Sequence, residues 1–221
     1  MKKKGLISLF ILLTVTASAQ PPKFSFGTDA DVIRSFKKEQ KFWSIGQTIV
    51  ANIHFTKKNT LYIWAAYTGN GRFENQLVAT AKSPTTTPTQ LNYKNSANMK
   101  GSHISIGLKH YFRGHYFSEQ EWNLYGGAGF GLRLGKIENK HSIAIDTAAY
   151  DVPVLAGNAK FKRLTFDLML GFEQPLGGAI YFYAEAKLMI PTTDYPSPYI
   201  LINENAPLTG SANLGLRLFF D

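Results

Sequence analysis

Ten residues near the C-terminus alternate without a break. Ala212, Leu214, Leu216, Leu218 and Phe220 share one face, while Ser211, Asn213, Gly215, Arg217 and Phe219 share the other. Period two over this length is a β-strand with one greasy side and one mostly polar side. Such a strand ends a soluble sheet or closes a membrane barrel, where closure leaves no unpaired edge in lipid. The rest of the chain decides between the two.

The N-terminus opens with Lys2, Lys3 and Lys4, continues as an apolar run from Gly5 to about Ala17, and reaches Ala17-Ser18-Ala19. A basic segment, a run too short to span a bilayer and an A-x-A site make a secretory signal. Cleavage after Ala19 is expected, with 1–19 as signal peptide and 20–221 as one domain. Removing the three lysines from a formal charge of +9 leaves +6. For an exported chain that balance points to anionic lipid or lipopolysaccharide phosphates, and no nucleic-acid motif is present. With no cysteine, disulfides, thiolate metal sites and a lipoprotein anchor are excluded. His54, His110, His115 and His141 lack metal-like spacing, so neither metal nor cofactor is expected. The mean hydropathy of −0.13 fits a barrel, where only every second residue faces lipid.

Alternation recurs along the chain. Strands are expected over about 24–33, 42–55, 61–73, 103–112, 122–134, 161–173, 180–190 and 211–220. The third carries Leu61, Ile63, Ala65, Tyr67 and Phe73 on its apolar side. Tight turns are expected at Lys57–Asn59 and Gln174–Gly178, and a moderate connection at Arg113–Glu121. The stretches 74–99, 135–159 and 191–208 read as long loops. Short connections on one rim and long ones on the other are the pattern of an eight-stranded antiparallel up-and-down transmembrane β-barrel, with the long loops outside the cell.

Alternation alone does not say which face is inside. Glycine gathers on the polar face (Gly27, Gly46, Gly107, Gly127, Gly129, Gly131, Gly171, Gly215). In a narrow bore it makes room for large neighbours. On the apolar face, Phe24, Phe55, Phe112, Trp122, Phe172, Phe182 and Phe220 fall at one set of strand ends, as an interfacial aromatic girdle does. The polar face is therefore expected to line the lumen.

On this pattern the chain resembles the small outer-membrane β-barrels of the OmpA-transmembrane-domain and OmpX type, over roughly 23–221. The resemblance implies outer-membrane residence and a role among anchoring, adhesion, small-molecule passage and lipid modification. It also implies a final strand read by the barrel insertion machinery, although here Asp221 follows Phe219-Phe220. His103-Ile104-Ser105 is similar to the His-x-Ser of lipid A deacylases. Both side chains are expected to face the lumen, away from lipid, and no carboxylate is evident as the third partner.

Two luminal features follow from strand parity. Arg72, His103, Arg133 and Arg163 are expected at a basic extracellular mouth. Asp29, Asp167, Glu185, Lys187 and Arg217 are expected to form an ion cluster at mid-height. With the turn centred in Gln174–Gly178, paired positions of the sixth and seventh strands sum to 352 or 354, setting Asp167 opposite Glu185 or Lys187. The expected protein is a monomeric, non-enzymatic barrel with a structural or surface-interaction role. A transporter or binder of small molecules is the alternative, and a lipid A-modifying enzyme a third.

Overall fold

The computed structural model describes residues 23–195, 197–200 and 208–220; the expected signal peptide and Asp221 lie outside the described residues. The elements are β1 (Lys23–Ser35), β2 (Trp43–His54), β3 (Asn59–Ala81), β4 (Gln90–Arg113), β5 (Asn123–His141), a two-residue β6 (Tyr150–Asp151), β7 (Gly157–Gly177), β8 (Ile180–Pro191) and β9 (Thr209–Phe220), with one 3-10 turn at Lys38–Gln40. The eight long strands pair antiparallel in chain order, and β1 pairs with both β2 and β9. The sheet thus closes as an up-and-down barrel. β6 adds two pairs to the far end of β3.

Burial is inverted relative to a protein in water. Phe26, Ile49, Phe130 and Leu214 are 55–68% exposed on the outer wall, whereas Tyr62, Asp167 and Arg217 are at most 2% exposed within. A continuous greasy outer wall is stable only against hydrocarbon. The girdle is where parity placed it, with Phe24, Phe55, Phe112 and Phe220 exposed at one end and Trp122 packed on Phe172 with ring centroids 5.7 Å apart. The luminal glycines give space as expected. Gly107 and Gly129 face each other across β4 and β5, and a Cβ on either would collide with the Tyr62 hydroxyl between them.

Four expectations need correction. First, 74–99 and 135–159 are not loops throughout. β3 runs to Ala81, β4 starts at Gln90, β5 runs to His141 and β7 starts at Gly157. These extensions are polar outside and enclose an apolar cluster that includes Phe73, Ala97, Met99, Ile137 and Phe161, so their alternation is opposite in sign to that of the lipid-facing wall. Second, Phe73 points inward and is 8% exposed. A register shift between Thr68 and Gly71, with Asn70 at φ 57°, exchanges the faces above it. Third, that same exchange turns Arg72 to the outer surface, away from the mouth.

Fourth, the sixth–seventh pairing (β7–β8) sums to 356, so Asp167 faces Met189 and Lys187 faces Met169. Gln174 and Pro175 stay in the ladder, opposite Phe182 and Tyr181. The chain reverses later, at Gly177 and Gly178, whose φ values of 126° and 56° suit glycine.

Candidate functional site: the charged lumen

Inward positions on five strands assemble a chain of ion pairs across the bore. Arg217 on β9 lies 2.8 Å from Glu173 on β7. Its guanidinium also donates to the Tyr111 hydroxyl at 3.1 Å and to the Tyr116 carbonyl at 2.9 Å. Lys109 on β4 stands between Glu173 at 4.0 Å and Glu185 at 3.4 Å, with its ammonium 4.0 Å from the centre of the Tyr125 ring. Lys187 on β8 continues the chain, 2.9 Å from Glu185 and 4.0 Å from Asp29 on β1.

Neutral donors add hydrogen bonds to the carboxylates, while Glu173 Oε1 and Arg217 Nε have no hydrogen-bond partner among the described residues. Tyr125 donates to Glu185 at 2.7 Å, and Tyr183 and Asn213 donate to the two Asp29 oxygens at 2.7 and 2.8 Å. Three carboxylates (Asp29, Glu173, Glu185) thus meet three cations (Lys109, Lys187, Arg217). All six are at most 7% exposed. A charge in so confined a space persists because it is paired and hydrogen-bonded.

The structure brings together four of the five residues expected in the cluster, namely Asp29, Glu185, Lys187 and Arg217. Arg217 joins them only through Glu173 and Lys109, neither of which was singled out from sequence. Both stand on the polar faces of their strands, and that parity is the only sequence signal for them. Asp167 is separate. Its Oδ2 lies 3.1 Å from His103 Nε2, which is also 3.0 Å from the Thr165 hydroxyl. His103 therefore sits within the lumen, and no hydrogen bond joins it to Ser105 among the described residues.

Of the residues expected at the mouth, Arg133 and Arg163 are direct partners across β5 and β7. Arg133 donates to the Thr209 hydroxyl at 3.0 Å. Two cavities lie in this half of the bore. One, of about 20 Å³, is walled by Gln40, Phe42, Met99, Arg133, Phe161 and Thr209. The other, of about 10 Å³, lies between Trp64, His103, Arg133, Lys187 and Asn213. Each is of the order of a single water.

The opposite end is closed by the moderate connection expected at 113–121. Tyr116, His54 and Phe219 stack mutually, with centroids 4.4 Å apart for His54 and Tyr116, 5.3 Å for Tyr116 and Phe219, and 5.1 Å for His54 and Phe219. Tyr181 donates to the Ser118 carbonyl at 3.1 Å, drawing the connection across the bore.

Comparison with protein families and with curated proteins found no match. Among solved structures the chain is similar to Neisserial surface protein A, with TM-score 0.58 and 11% identity over 89% of this chain and 97% of that one. It is similar to a major outer membrane protein from Thermus thermophilus, with TM-score 0.55 and 9% identity over 91% of this chain and 100% of that one. It is also similar to Ail, the attachment invasion locus protein of Yersinia pestis, in a complex with the heparin analogue sucrose octasulfate. There the TM-score is 0.51 and the identity 12%, over 91% of this chain and 100% of that one. Identities this low speak to architecture: the chain has the fold of the small eight-stranded outer-membrane β-barrels.

Proposed function

We propose that the protein is a monomeric, non-conducting outer-membrane anchor that holds a sheet extension outside the cell for surface interaction. The observation that carries this is the filled bore. A neutral six-residue ion network and an aromatic stack occupy the bore, and the two cavities described beside them, of about 20 and 10 Å³, are water-sized. Above the belt, β3, β4, β5 and β7 continue as a common sheet, paired from Gly71↔Met99 to Thr80↔Gln90 and from Asn95↔His141 to Asn139↔Gly157. The signal peptide, insertion guided by Phe219-Phe220 and contact with outer-membrane lipid belong to the same reading. The Ail complex with a sulfated sugar is in keeping with a surface role for this fold. The enclosed setting of His103 and Ser105 speaks against attack on lipid.

Planar-bilayer recording tests the proposal. The folded full chain is expected to give no steady conductance, and uptake of small solutes into loaded vesicles is expected to equal that of protein-free vesicles. A stable open level, or uptake above that baseline, makes it a transporter instead.

A further inference from the structure

Outside the bore, a row of lysines has no acidic partner among the described residues. Lys100 on β4 pairs directly with Lys136 on β5, and Lys136 with Lys160 on β7. Lys162 is the next outward residue on β7. Like charges at directly opposed positions oppose sheet formation. The acidic side chains higher on the same wall are already engaged, Glu138 with Lys140 at 3.1 Å and Glu74 with Lys94 at 2.6 Å. None of the four lysines in the row has an ion-pair or hydrogen-bond partner among the described residues.

The row borders an open groove of about 580 Å³ whose other walls include Tyr67, Leu134, Phe161 and Tyr195. Directly below it, Leu132, Ile104 and Leu164 are 37–53% exposed and continue into the apolar belt. A soluble anion would use the lysines and ignore this wall. An amphiphile uses both, with phosphate at the lysines and acyl chains along the leucines and isoleucine. Lys100 and Lys160 stand two strand spacings apart, about 10 Å, a span that suits a headgroup carrying more than one phosphate. The rim concerned is the long-loop rim, which faces the outer leaflet in the proposal above.

We infer that the Lys100–Lys136–Lys160–Lys162 row is a binding site for the phosphorylated headgroup of an outer-leaflet glycolipid, lipopolysaccharide through its lipid A phosphates. The inference rests on the proposed orientation and is independent of whether the bore conducts.

The test titrates the detergent-folded full chain with bisphosphorylated lipid A, with its dephosphorylated form and with phosphatidylglycerol. Folding is confirmed for every variant by faster migration of the unheated than of the boiled protein. The expected order is lipid A first, with at least a tenfold loss on removing its phosphates and at least a tenfold loss in the double variant K136Q/K160Q. K140Q, whose lysine already has Glu138, is expected to bind as the parent does. Equal binding of the dephosphorylated lipid, or an unchanged K136Q/K160Q variant, overturns the site. Tighter binding of phosphatidylglycerol overturns the choice of lipid. A conducting channel that still binds lipid A at these lysines leaves this inference standing while the anchor reading falls.

Discussion

The two halves of the bore are built on different principles. In the lower half and centre, each charge has at least two polar or aromatic neighbours, and three rings stack across the opening. In the upper half one histidine meets one carboxylate, two arginines oppose each other in the ladder, and both residual cavities touch Arg133. The network is therefore a linked object, in which loss of one member strands others. The upper half is a set of local contacts that fail one at a time.

Lys109→Met gives that contrast its hardest test. It leaves Glu173 and Glu185 short of a cation and is expected to cost about 3–5 kcal/mol, read from urea titration in lipid vesicles by tryptophan fluorescence. A loss below about 1 kcal/mol would mean that water solvates the carboxylates and that the two halves do not differ. Adding Glu185→Gln sharpens the point. The double variant is expected to lose less than the sum of the singles by about 1–3 kcal/mol, because the groups share one network. Additive losses would dissolve the network into independent pairs.

Asp167→Asn, in the upper half, removes a single contact and is expected to cost about 1–2 kcal/mol. The same cycle run between Asp167→Asn and Lys109→Met is expected to be additive. Smallest of all is Arg72→Gln. Its side chain lies on the outer face, so stability should stay within about 0.5 kcal/mol of the parent.

The parts legible in the sequence are those governed by local periodicity. From Phe24 to Phe220, alternation located the lipid wall and the polar lining, since a one-residue slip turns every side chain to the wrong face. It failed where one residue reset the count. Asn70, in an Asn-Gly pair, takes a positive φ and exchanges the faces above it, so Phe73 turned inward and Arg72 outward. The Gly177–Gly178 reversal is centred one or two residues later than the expected turn, and that offset moved Asp167 away from both Glu185 and Lys187.

The strand extensions were hidden for another reason. Glu74, Ser96 and Glu138 face water rather than lipid, and Phe73, Ala97 and Ile137 pack inside, so the hydropathy contrast between the faces reverses where the reading of one continuous greasy outer face stops. The site itself was legible only as a set of inward charges. Which of them touch across the lumen depends on strand stagger, and no local pattern reports that Lys109 meets Glu185 or that Arg217 meets Glu173.

The aromatic stack bears on how the barrel is made. Its rings come from His54 on β2, Tyr116 in the connection after β4 and Phe219 on β9, with Tyr181 of β8 holding that connection in place. The last ring enters only when the final strand zips against the first. The closing strand therefore serves twice, completing the wall through its backbone and the floor through the Phe219 ring, so a chain lacking it has neither.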